Sequence, residues 1–402
     1  MAADPGRPGQ KKPGKREKRD SGSPPRLDPG STSRRLAIDA IIRINTGGAY
    51  ANLVLPEMLD RSALSPADRR FVTELVYGST RMRRACRYLF ERFLIGSVDD
   101  EVEAALQIGA YQLEFLGTPP HAAVGATVGA VRSKGRSVVN AVLRKVADAP
   151  VTYPDSATRL SYPDWLVDRM TAFLGADVAL EALTAMNQPA VTSVREDGYV
   201  QDLASQQVVE LIDASAGSVV VDVCAAPGGK ATGLAASGAY VVAADRRLSR
   251  TRLVAANAQR LESTLGIVVA DGRAPAIRPG SVDTVLVDAP CSGFGSLRRR
   301  ADARWRIEPE APERLAELQV ELVLAALELV RPGGEVVYSV CTLDRAEGPG
   351  VVEQVLGSRP DVSLGEKPGH PWIDKGPVAV LVPDEHDGMM FARLVTATTS
   401  AT

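Results

Sequence analysis

The chain reads as an α/β protein in which an all-helical bundle precedes a mostly parallel, Rossmann-like sheet closed by an antiparallel last strand. Three observations predict this. Apolar residues recur at helical spacing from Arg34 to Val146, and short β-rich runs alternate with helices beyond residue 216. The third is Asp222-Val223-Cys224-Ala225-Ala226-Pro227-Gly228-Gly229-Lys230, a glycine turn of the kind that joins a strand to a helix N-terminus.

At 402 residues the chain exceeds one ordinary core, and 45% hydrophobic residues provide ample material to bury. Residues 1–33 are rich in Pro, Gly, Lys and Arg with almost no large apolar side chain, so they are expected to form a disordered tail. Residues 1–35 hold ten Lys/Arg against four acids, in a chain of net charge −2. A basic arm on an acidic body suits a polyanion such as RNA, and equally a solubilising tail.

Residues 34–149 form the helical bundle, carried by Leu36, Ala40, Ile41 and Ile44, then Phe71, Leu75 and Val76, then the valines 124–146. Residues 150–215 are a proline-punctuated connector with a helix from Pro163 to Leu174. Residues 216–397 alternate: strand Ser218–Cys224, helix 229–237, strand Tyr240–Asp245, helix 248–262, strand Ile267–Asp271, strand Val282–Asp288, helix 313–330, strand Glu335–Cys341, helix 346–357 and a final edge strand Gly388–Leu394. Strands alternating with helices make a parallel sheet covered on both faces.

The glycine turn fails as a phosphate loop, because Cys224 and Ala231 occupy two of its four fixed positions, and no G-x-G-x-x-G occurs. What remains is a tight turn near a nucleoside without a pyrophosphate cradle, with Cys224, Ala225, Ala226, Pro227, Gly228, Gly229 and Lys230 as candidate binding residues. Asp245 ends the second strand, where a carboxylate can take ribose hydroxyls, and Asp271 ends the third, where it can meet an adenine amine. These features point to S-adenosylmethionine.

Four cysteines lack any C-x-x-C pair, which argues against a disulfide framework or a zinc site, and the three histidines are scattered. Cys86 reads as a core residue and Cys224 as part of the turn. Cys291 and Cys341 each follow a strand at the ligand edge. Cytosine is too electron-poor at carbon 5 to attack a methyl sulfonium unaided, whereas a thiolate added at carbon 6 makes carbon 5 enamine-like. Either thiol can be that nucleophile, the other assisting release, with Asp288 binding the base. Between them, Arg298, Arg299, Arg304 and Trp305 suggest phosphate contact and base stacking, or a solvated charged face.

At these residues the chain resembles the RsmB/Sun (Fmu) branch of the Nol1/Nop2/Sun RNA cytosine-5 methyltransferases. Cys224–Lys230 is similar to the family's cofactor loop, Asp288–Gly293 to its fourth motif and Tyr338–Thr342 to its sixth. The resemblance implies Cys341 as nucleophile, Cys291 in product release, and a cytosine of small-subunit ribosomal RNA as substrate. Gly47–Asn52, Glu74–Gly78 and Val139–Arg144 resemble the NusB-like RNA-binding domain of this branch. Val340-Cys341-Thr342 stands where the family has Thr-Cys-Ser, and the connector from Thr192–Arg195 to Gln201-Asp202 is several tens of residues shorter. Competing readings are an RNA-binding scaffold or antiterminator-like protein with a weakened methyltransferase domain, and a small-molecule methyltransferase. A monomer in a reducing cytoplasm is expected, with no metal and no membrane span.

Overall fold

The computed structural model describes residue 1 and residues 29–132 and 134–398. The expected disordered tail lies outside the described residues except at its end, where the boundary moves. Helix α1 (Pro29–Asn45) already includes residues 29–33. The physical reason is packing of small hydroxyls: Ser31 and Ser33 are buried, and their Oγ atoms donate to the Ala126 carbonyl and to Asp68, both at 3.2 Å.

Six more helices complete the bundle: α2 (Ala51–Asp60), α3 (Pro66–Arg81), α4 (Arg83–Glu91), α5 (Asp100–Glu114), α6 (Pro120–Ala130) and α7 (Arg136–Asp148). Their starts are written locally. Ser65 caps α3 by accepting from the Asp68 N–H, with Pro66 following. Asp99 caps α5 by accepting from Val102 N at 2.8 Å, ahead of three acids in the first turn. Ile38, Ile41, Leu75, Leu89, Leu106 and Leu143 fill the core between them, with Cys86 fully buried among them.

The connector is largely helical: α8 (Ser156–Leu160), α9 (Asp164–Leu174), α10 (Ala176–Ala185) and α11 (Leu203–Glu210). Between α10 and α11, Val194 and Val200 form one antiparallel bridge, so the chain crosses in a short hairpin.

The sheet contains β1 (Val219–Asp222), β2 (Tyr240–Asp245), β3 (Gly266–Val269), β4 (Val282–Asp288), β5 (Val330–Val340), β6 (Val362–Leu364), β7 (Ile373–Lys375), β8 (Val378–Leu381) and β9 (Met389–Thr396). Helices α12 (Gly229–Ala236), α13 (Leu248–Arg260), α14 (Ala311–Leu329) and α15 (Val351–Ser358) complete the chain. The order β3-β2-β1-β4-β5-β9-β8-β7 is parallel through β5 and antiparallel from β9 on, with β6 also pairing β9.

Alternation along the strands sorts their side chains. Val221, Val285, Val287, Val336 and Tyr338 pack with α8–α10, α14 and α15, whereas Val220, Leu286 and Val337 pack with α11, α12 and α13. The connector helices are therefore a layer of the sheet's own core. Pairing Asp222 with Leu286, and Asp288 with Ser339, aligns the carboxyl ends of β1, β4 and β5 at one edge.

Candidate active site

The glycine turn leaves β1 at that edge. Asp222 is fully buried, and its Oδ1 accepts from Cys224 N at 3.1 Å. Burial, then the neighbouring Asp288, pushes its carboxyl up to about 7. Gly228 sits at φ +107, and a Cβ there would lie 3.2 Å from the Val254 backbone of α13. A side chain at Gly229 would meet the Tyr199 ring at 2.7 Å. These glycines let the turn bend and let helix and hairpin pack close.

A cavity of about 460 Å³ opens above the strand ends. Of the residues expected to bind the cofactor, Cys224, Ala226, Asp245, Asp271 and Asp288 line it. Ala225, Pro227, Gly228, Gly229 and Lys230 do not: they shape the turn, and Lys230 is buried with its Nζ donating to Asp288 Oδ2 at 2.7 Å. Asp245 accepts from Arg247 N at 3.0 Å. Asp271 lies just beyond β3, and hydrogen bonds from the Arg273 side chain hold its carboxyl down to about 2. Val223, Leu318 and Leu322 form the apolar wall.

At the other end of the cavity the two thiols meet, with Cys291 Sγ and Cys341 Sγ 3.4 Å apart. The hydrogen bond from Cys291, with Arg300 nearby and Ser296 Oγ at 3.8 Å, holds the Cys341 thiol below its ordinary value despite burial. That same bond and burial push Cys291 up. The two shifts run in opposite directions, so Cys341 is the more readily ionised thiol of the pair. Asp288 faces both, fixed by Lys230 and by Ser339 Oγ, which donates to Oδ1 at 2.9 Å.

Glu347 was not singled out in the sequence. This buried carboxylate accepts from Ser292 N at 2.8 Å, Gln319 Nε2 at 3.0 Å, Thr342 Oγ1 at 3.1 Å and Ser292 Oγ. Ser292 and Thr342 each follow one of the cysteines, so Glu347 ties both thiol-bearing turns together. Paired hydroxyls directly after both cysteines were the available signal for a shared acceptor.

The expected RNA contacts at Arg298, Arg304 and Trp305 need correction. Arg304 is 0% exposed, stacks 3.9 Å from the Tyr162 ring, and donates to the Arg81 and Ser161 carbonyls and Asn187 Oδ1. Trp305 Nε1 donates to the Thr80 carbonyl at 2.7 Å, and Arg298, also buried, donates to the Asp384 carbonyl. Arg299 pairs with Asp202 at 2.5 Å and Asp387 at 3.0 Å. The segment seats the sheet against the helical bundle, because Thr80, Arg81, Ser161 and Asn187, distant in sequence, present acceptors to it.

The comparisons fit this geometry. The description "16S rRNA methyltransferase RsmB/F" matches residues 209–395, and "NusB family" matches residues 31–148. The ribosomal RNA small subunit methyltransferase B of Thermus thermophilus is 36% identical over 363 residues, covering 82% of this chain and 88% of that protein. The chain belongs to the RsmB/F methyltransferase family. Another RsmB/F relative, the ribosomal RNA small subunit methyltransferase B of Sodalis glossinidius, is 28% identical over 428 residues, covering 91% of this chain and 98% of that protein. That alignment is longer than the whole 402-residue chain, so the relative carries residues with no counterpart here. The crystal structure of PH0851 shares the fold, with a TM-score of 0.71 at 20% identity over 92% of this chain and 99% of that one.

Members of the RsmB/F family take S-adenosylmethionine as methyl donor, and the cavity suits it. Its volume is that of a small-molecule site, one wall is apolar, and two carboxylates stand where a nucleoside needs acceptors. Among the described residues no cluster of three or more His, Cys, Asp or Glu is placed to hold a metal, and no helix is long and apolar enough to cross a membrane.

Proposed function

We propose that this chain methylates carbon 5 of a cytosine in RNA, with small-subunit ribosomal RNA as the substrate and Cys341 as the nucleophile. The observation that carries the reading is the thiol pair at 3.4 Å, with one partner lowered and the other raised, in the cavity shared with Asp245, Asp271 and Asp288. The substrate class comes from the names of the relatives.

The Cys341 thiolate adds to carbon 6, and the carbon 5–carbon 6 π pair moves toward carbon 5. Solvent protonates the ring nitrogen as negative charge builds on the ring, and Asp288, held by Lys230 and Ser339, accepts from that N–H and from the exocyclic amine. S-adenosylmethionine supplies the electrophilic methyl group. Carbon 5 then gives up its proton to solvent as the carbon 6–sulfur bond breaks, and the electron pair of that bond leaves with Cys341. Cys291 donates its S–H hydrogen bond to the departing sulfur and so promotes release.

Trapping tests the assignment, because fluorine at carbon 5 blocks the elimination and preserves the adduct. RNA transcribed with 5-fluorocytosine should form a denaturation-resistant complex with the native chain and with Cys291→Ala, but none with Cys341→Ala. An adduct in Cys341→Ala and none in Cys291→Ala would reverse the two roles.

A further inference from the structure

The arginine run between the thiol turns splits into two kinds of side chain. Arg298, Arg299 and Arg304 bond within the protein, and Arg306 lies 3.7 Å from the Tyr50 ring. Arg300 differs: it is exposed, it lines the same cavity as Cys291 and Cys341, and no carboxylate pairs with it among the described residues. Among the described residues one side-chain hydrogen bond holds it at the thiols, Nη2 donating to Ser296 Oγ at 2.9 Å, while that hydroxyl lies 3.8 Å from Cys341 Sγ. Gly293 makes room for the guanidinium. Its φ is +78, and a Cβ there would fall 1.8 Å from Arg300 Nη2.

The backbone under Arg300 is firmly held. Asp302 accepts from Ala51 N at 3.5 Å, and Arg304 and Trp305 anchor the segment to the ends of other helices. A guanidinium on a fixed loop, with free donors at the mouth of a cavity, is organised for a tetrahedral anion. Arg246 and Arg247 also line this cavity and are exposed, so its mouth favours a polyanionic strand.

We propose that Arg300 binds the phosphodiester of the nucleotide whose base enters the cavity, and thereby sets that pyrimidine over Cys341. The inference rests on the RNA cytosine reading above and adds the subsite that positions the base. A base must leave its stack to reach a buried thiol, and a phosphate clamp at the mouth fixes the sugar from which it swings. Arg300 also favours the thiolate of Cys341 by charge, so the test must separate the two effects.

The rate of adduct formation on 5-fluorocytosine ribosomal RNA, measured across a salt series with the full chain, does so. Arg300→Gln is expected to slow adduct formation at low salt by roughly 10- to 100-fold, the range of a charge-assisted hydrogen bond. It should also flatten the log–log salt slope by about 0.7, the loss of one phosphate contact on a single strand. Arg300→Lys should recover part of both. Arg278→Gln, an exposed arginine before β4 at the far end of the strands, should change neither. Equal slowing at every salt concentration would mean that Arg300 acts on the thiol alone and would overturn the phosphate site, as would an equal loss of slope in Arg278→Gln. If the native chain forms no adduct, the cytosine reading fails and takes this subsite with it; an adduct with an unchanged slope in Arg300→Gln removes the subsite alone.

Discussion

Two fully buried ionisable side chains, Glu347 and Arg304, solve opposite problems. Glu347 receives four hydrogen bonds, two from Ser292, one from Gln319 and one from Thr342, so the carboxylate uses nearly all its accepting capacity. Arg304 has no carboxylate partner, and its Nε and Nη2 have no hydrogen-bond partner among the described residues. Its acceptors are the carbonyls of Arg81, the last residue of α3, and Ser161, which caps α8, with the Asn187 side chain just past α10. Converging helix C-termini carry partial negative charge, which a guanidinium can satisfy without an acid. The difference teaches that Glu347 fixes a reaction geometry over a few ångströms, whereas Arg304 joins segments from the whole chain.

The sharpest way to break this comparison is Arg304→Ala. It leaves buried acceptors unpaired and opens space beside Tyr162, so a loss of about 2–5 kcal/mol is expected, read as a lower melting temperature. Adduct formation well below that temperature should remain near native. Native stability with a lost adduct would restore an RNA-contacting role to this arginine.

Glu347→Gln should reverse the emphasis. The amide keeps the shape but turns an N–H₂ toward donors that need an acceptor, at a cost of about 1–3 kcal/mol. Because those donors belong to the residues after Cys291 and Cys341, trapping on 5-fluorocytosine RNA should fall by roughly 10- to 100-fold. A melting shift with unchanged trapping would reduce Glu347 to a packing element.

The pH dependence of Cys341 sharpens the same point. Its thiol lies below the ordinary value chiefly through the Cys291 hydrogen bond, so the thiolate fraction, and alkylation by iodoacetamide, should rise with pH through a midpoint below that of a free thiol. Removing the donor in Cys291→Ala should move that midpoint upward by about one pH unit. No shift would mean that the pair does not share a proton.

Much of the site was legible because it is local. Valine-rich runs before Asp222, Asp288 and Cys341, alternating with helices, wrote parallel strands, and parallel strands put their carboxyl ends at one edge. That pattern alone brings Asp245, Asp288, Cys291 and Cys341 to one cavity. The arginine–tryptophan run was misread because its partners are remote. Thr80, Arg81, Ser161 and Asn187 lie 117 to 225 positions upstream of the residues they bond, and a charged run with an aromatic reads as surface until helix ends are brought against it. The sorting of the run into internally partnered arginines and the cavity-facing Arg300 follows from turn geometry at Gly293, which composition does not show. Residues 29–33 were assigned to the tail for a related reason, since Ser and Thr bury well only when a neighbouring helix, here α3 or α6, accepts from them.

The smallest effect belongs to Trp305. Its indole N–H gives one hydrogen bond to the Thr80 carbonyl, in the last turn of the helix that also meets Arg304. Trp305→Phe keeps most of the aromatic surface and removes that bond, so about 0.5–1.5 kcal/mol should be lost, a modest fall in melting temperature. Combined with Arg304→Ala, the two losses should not add, since both residues fasten the same loop to the same helix end. Strict additivity would mean that the two anchors act independently, and the joint between bundle and sheet would then be a set of separate contacts, with no shared cap at the end of α3.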